Sequence, residues 1–176
     1  MKILDFPILR QTFDYDCGAK ALQSVLVYYG VEVREDTIIK LAHTNKDIGT
    51  PIEGIIETIE KYGLKYVSKS MNISEVKDFI DKNVPVIVVI QAWKDKKNVD
   101  WKNDWDDGHY VTIIGYDSEK IIFEDPSSFE KTYLTCDEFL KRWHDVDSKG
   151  KKYFNHGIAV FGKEHKFDSE KLIHMG

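Results

Sequence analysis

Pro85-Val86-Ile87-Val88-Val89-Ile90 is the stretch at which the chain changes its period. An unbroken β-branched run behind a proline suits a strand covered on both faces. Upstream the spacing is helical. Ala21-Leu22, Val25-Leu26 and Tyr28-Tyr29 recur at helical intervals from about Cys17, and Gly30 stands where that helix should stop. Asp14 and Asp16 lie just before it, placed to cap its first amides or favour its positive end. A second helix is predicted over residues 36–43. The third should open with Thr50 as N-cap, Pro51 at the first helical position and Glu53 closing a capping box. Its apolar stripe is Ile52, Ile55, Ile56, Ile59 and Tyr62, and Gly63 ends it. A fourth follows Ser74 and should bury Val76, Phe79 and Ile80 before Asn83. Downstream the pattern is that of strands, predicted over residues 109–116, 120–125 and 156–161, with another over 65–71. A short helix begins at Thr135, which forms a capping box with Glu138, and should bury Phe139, Leu140 and Trp143. Helices first and mostly sequential strands afterwards give an α+β fold rather than a βαβ repeat.

The 176 residues, 20.5 kDa, are expected to form a single domain over residues 1–176 with its core at about 10–161. A chain of this length buries roughly 70% of its unfolded surface and needs no covalent staples. Hydrophobic content of 42% with 31% charged residues is ordinary globular composition and argues against a disordered chain. No apolar run reaches the ~20 residues of a membrane span. Asp5 and Pro7 interrupt the start too early for a signal peptide, so a cytoplasmic location is expected, without membrane insertion. A net charge of −5 with scattered Lys and Arg disfavours nucleic acid as a partner. Two cysteines make no disulfide framework, and there is no CxxC. His43, His144, His156, His165 and His174 follow no ligand spacing, so no metal and no organic cofactor is indicated.

Cys17 opens the first helix. Free amides and the positive end of the macrodipole stabilise a thiolate there, although free cysteine is also a common small core residue. A nucleophile needs a base, the base an orienter, and the developing oxyanion its donors. His109 heads a strand after an Asp106-Asp107-Gly108 turn, and Asp125 ends the next strand before Pro126. The two side chains meet only if they share a face of the hairpin. That requires Val111 opposite Asp125, Ile113 opposite Phe123 and Gly115 opposite Ile121; a one-residue slip breaks the pair. Gln11, six positions before Cys17, offers a side-chain amide that with the Cys17 N–H would form an oxyanion hole. Cys136, in the first turn of the last helix, has no such partners and reads as a packed bystander.

Gln11-x5-Cys17-Gly18-x-x-Ala21-Leu22, then Gly108-His109-Tyr110-Val111 with Ile114-Gly115-Tyr116-Asp117, then Asp125-Pro126, resemble the C39 family of papain-like cysteine peptidases, the bacteriocin-processing domains and their free-standing relatives. The resemblance runs from about Arg10 to Phe161 and takes in Leu134-x-x-x-Glu138-Phe139-x-x-x-Trp143. It implies a helical lobe carrying the cysteine and a β lobe carrying histidine and aspartate. It also implies roles: Cys17 as nucleophile, His109 as general base and acid, Asp125 as orienter of the imidazole, and Gln11 on the oxyanion. A peptide or protein substrate follows. The chain departs from the exporter-linked members in having no membrane segment and no phosphate-binding loop, so any transporter would be a separate partner. Residues 91–108 form a long polar stretch holding Trp93, Trp101 and Trp105. With Asp107, these are candidates to contact substrate or cover the cleft, if they do not simply pack the loop. The same residues would serve an amidase or transpeptidase, and a peptide-binding module that no longer cuts is the non-enzymatic alternative.

Overall fold

The computed structural model describes residues 1–94 and 97–176; Asp95 and Lys96, within the predicted loop, lie outside the described residues. Helix α1 (Cys17–Tyr28) begins at the predicted cysteine. Asp16 stands at its N-cap position, but its carboxylate does not cap the helix. It accepts instead from the amides of Thr12 and Phe13, at 3.2 and 3.1 Å, and so closes the turn that delivers Cys17. Helix α2 (Glu35–Leu41) ends short of His43, which is left-handed at φ 56°. Helix α3 (Ile52–Lys61) has Pro51, not Thr50, at its N-cap, and no side-chain cap. The Thr50 hydroxyl is bonded to Thr44 Oγ1 at 2.8 Å, so the predicted capping box does not form. Helix α4 (Ile73–Asp81) starts earlier than predicted, because Asn72 and Glu75 form the capping box. The box of Thr135 and Glu138 opens α5 (Cys136–Arg142) as expected. Phe139 and Trp143 are buried there and stacked at 4.4 Å, whereas Leu140 is exposed.

The strands are β1 (Lys2–Ile3), β2 (Lys65–Ser70), β3 (Val86–Gln91), β4 (Gly108–Tyr116), β5 (Lys120–Glu124), β6 (Thr132–Thr135), β7 (His144–Val146), β8 (Lys152–Phe154) and β9 (His156–Phe161). The main sheet runs β2-β9-β3-β4-β5-β6, with β1 paired to the end of β4, and every pairing is antiparallel. Strand β3 is buried along its whole length, as its β-branched run requires. Strands β7 and β8 form a separate hairpin. The predicted hairpin register holds at Ile113 opposite Phe123 and Thr112 opposite Glu124, then slips. A bulge at Ile114 sets Gly115 opposite Ile122 rather than Ile121. The slip falls where β1 joins the other edge of β4, with Ile3 opposite Gly115. It lies beyond the half of the hairpin that carries His109, so the face shared with Asp125 is kept. Leu22, Val25 and Leu26 of α1 join Ile87, Ile113 and Phe123 of the sheet in one core.

Candidate active site

Cys17 is the first residue of α1, and Gly18 sets how closely that helix start approaches its surroundings. A Cβ on Gly18 would stand 2.6 Å from Thr50 Cβ and 2.8 Å from Tyr110 Cδ2, so only glycine admits this packing. Tyr110, next to His109, donates its hydroxyl to the Thr50 carbonyl at 3.0 Å. The helical part bearing the cysteine and the strand bearing the histidine are thereby joined beside the site.

His109 is buried and donates from Nε2 to Asp125 Oδ1 at 2.7 Å. Burial alone would lower the imidazole pKa. The bond to Asp125 and the nearby Cys17 outweigh it and raise the pKa to about 9. Asp125 is buried too; burial pushes its carboxyl up, but His109, then the Ser127 amide and Trp93, hold it below its ordinary value. Ser127 N donates to Oδ1 at 2.8 Å and the Trp93 indole to Oδ2 at 2.9 Å.

Arg10 fixes the backbone of the aspartate. Its Nη1 donates to the Asp125 carbonyl at 3.0 Å and pairs with Glu124 Oε1 at 2.6 Å. Burial outweighs that pairing and keeps the Glu124 carboxyl above its ordinary value. The Gln11 backbone N–H donates to the Pro126 carbonyl at 3.0 Å, and Ser127 Oγ donates to Gln11 Oε1 at 2.8 Å. The Gln11 Nε2 donates to the Phe13 carbonyl at 2.6 Å. The glutamine amide is therefore oriented from both ends, with one of its two amide hydrogens committed within the loop.

A cavity of about 500 Å³ opens beside Cys17. One wall is the loop through Gly49 and Thr50, another the β7–β8 hairpin at Asp145 and Asp147, with Gly108 and Tyr110 between them. Asp145 was not legible as a site residue in the sequence. Its carboxyl accepts from Gln91 Nε2 at 3.2 Å and is raised by burial. A single acid in His144-Asp145-Val146 carries no spacing signal.

The four residues predicted to contact substrate do not line this cavity. Trp93 bonds Asp125 instead. Trp101 lies under the Arg142 guanidinium, 4.0 Å from its ring centre, on the α5 side. Trp105 packs on His144 and Phe154 at 4.5 and 5.4 Å. Asp107 is paired with Lys94 at 2.8 Å, and its amide donates to Gln91 Oε1. Each has a partner within the protein.

A model of the peptidase C39 family matches residues 5–147. The lactococcin-G-processing and transport ATP-binding protein LagD of Lactococcus lactis subsp. lactis is 26% identical over 139 residues. The match covers 79% of this chain and 18% of LagD, so the chain spans less than a fifth of that relative. Among solved structures, the peptidase domain of Streptococcus ComA, a bifunctional ABC transporter involved in quorum sensing, superposes with a TM-score of 0.65 at 24% identity. It covers 89% of this chain and 98% of that domain. A double glycine motif protease from a PCAT transporter, solved with its leader peptide, gives 0.66 at 17% identity over 91% and 94% of the two chains. At such identities the likeness to the two structures is one of fold. No helix among the described residues is long and apolar enough to cross a membrane.

Proposed function

The chain belongs to the peptidase C39 family, and from that premise we propose that it is a cysteine peptidase acting through Cys17. The observation that carries the reading is the buried His109 ring bonded to Asp125 at 2.7 Å, with Cys17, the first residue of α1, near enough to help raise the imidazole pKa. A thiolate there is stabilised by the imidazolium and by the helix start.

The thiolate attacks the carbonyl carbon of a peptide bond lying in the cavity. The oxyanion formed is met by the Cys17 N–H, which has no partner within the helix, and by the Gln11 amide. Collapse breaks the C–N bond as His109 passes its proton to the leaving amine. His109 then takes a proton from water, which attacks the thioester and releases the acid and the thiolate. Asp125 keeps the imidazole in its orientation throughout. Peptide substrates are the natural class, since a relative processes lactococcin G and a structural neighbour binds a leader peptide.

The test is cleavage of a broad peptide library, read by mass spectrometry, with wild type, Cys17→Ser and His109→Ala. Cleavage is expected in wild type only, with hydrolytic product masses. Cleavage that survives Cys17→Ser would sink the reading, and products bearing an added amine would turn it toward acyl transfer.

A further inference from the structure

Trp93 combines two features that the proposed chemistry does not yet use. Its backbone is left-handed, at φ 61°, where a bulky aromatic residue is an outlier that its surroundings must impose. Its indole nitrogen is 2.9 Å from Asp125 Oδ2, although the residue as a whole is 61% exposed. The strained turn thus keeps a large apolar ring at the surface and spends its single donor on the buried acid. Both flanks hold it there. Ala92 N donates to the Asp107 carbonyl at 3.0 Å, and the Lys94 ammonium is bonded to both Asp104 and Asp107. Among the described residues the other donors on the Asp125 carboxylate are the His109 ring and the Ser127 backbone, both on Oδ1. Trp93 is the side chain that fixes Oδ2, and so the rotation of the carboxylate about its Cβ–Cγ bond.

We propose that Trp93 is a positioning residue for Asp125, holding the carboxylate in the plane that aligns the His109 imidazole with Cys17. Trp93, its turn held by Ala92 and Lys94, then serves the acid and not the substrate wall. The inference rests on the peptidase reading above. Among the described residues, the charged groups facing the acid are His109 from β4 and Arg10 at its carbonyl, with Glu124 paired to Arg10. The bond from Trp93 supports the carboxylate's ionised form, so its loss shifts Asp125 upward.

Trp93→Phe keeps an aromatic ring, smaller than the indole, and removes the N–H donor; at a position 61% exposed the fold is retained. The pH dependence of Cys17 alkylation by iodoacetamide, read by peptide mass spectrometry, reports the thiolate without any substrate. Wild type is expected to react rapidly below pH ~7, where an ordinary thiol is protonated. In Trp93→Phe that reaction should slow and its acid limb move toward neutral. With a peptide substrate, kcat should fall about ten- to a hundredfold, the usual weight of a hydrogen bond to a charged group, with KM unchanged. A rise in KM with kcat and alkylation unchanged would make Trp93 a substrate contact and overturn the proposal, as would a variant identical to wild type. A wild-type Cys17 no faster than an ordinary thiol, and indifferent to His109→Ala, would overturn the peptidase reading, and this inference with it. The two failures are distinct, because one shows in the wild type and the other only in the variant.

Discussion

His109 is pulled in two directions, and the direction of the outcome fixes a dependence of stability on pH. Burial disfavours its charge, while Asp125 and Cys17 favour it and raise the pKa from 6.5 to about 9. A raised pKa means that folding binds a proton, so the stability this group contributes is complete below about 6.5 and is lost as pH climbs through 9. A shift of that size is worth on the order of 3 kcal/mol. Denaturant unfolding from pH 6 to 10 should show wild type losing stability across this window and His109→Ala losing much less. Equal slopes would mean that the imidazole is not charged in the folded protein. The placement of Cys17, His109 and Asp125 was legible, because a helix start, a strand head and a strand end sit at readable positions in the sequence. The partner of Trp93 was not, since it depends on one left-handed residue and on a bond across thirty-two positions.

At the level of elements, α3 packs closely on the end of α2. A Cβ at Gly54 would stand 2.1 Å from the Ala42 carbonyl oxygen, a backbone atom that cannot swing aside. Gly54→Ala should therefore destabilise the protein by about 1–3 kcal/mol despite the better helix propensity of alanine, as read by urea unfolding. A stabilised variant would show that the two helices are free to separate. The periods of the apolar residues disclosed most of these elements. They did not disclose the capping at the N-termini of α1 and α3, because Thr50 spends its hydroxyl on Thr44 and Asp16 spends its carboxylate on the preceding turn. Nor did they disclose the bulge at Ile114. Alternation within the hairpin gives the register opposite Phe123, but the slip occurs beside β1, a strand of two residues too short to carry a pattern.

Across the whole molecule, the last part of the chain returns to the beginning. Lys166 and Phe167 both donate their backbone N–H to the Tyr28 carbonyl, at 2.9 and 3.2 Å, closing the end of α1. The His165 ring stacks on Tyr28 at 5.2 Å, and Ser169 N donates to the Asp5 carboxylate. Beyond that point Leu172, Ile173 and Met175 are exposed. Removing residues 170–176 should leave the melting temperature unchanged. Removing 165–176 should lower it by roughly 4 °C, the scale of one or two lost contacts in a chain of this size. Identical melting curves for the two truncations would show that residues 165–169 add nothing. The cavity beside Cys17 has its own long-range origin: one wall is the loop through Gly49 and Thr50, and the other is a hairpin nearly a hundred residues later. Neither wall supplies Cys17, His109, Asp125 or Gln11, and the family match stops at residue 147, inside the hairpin. On the reading proposed above, the reacting groups and these two cavity walls come from different segments of the chain. A change at the exposed tip of the hairpin should therefore alter which peptides enter while leaving the reactivity of Cys17 as it was.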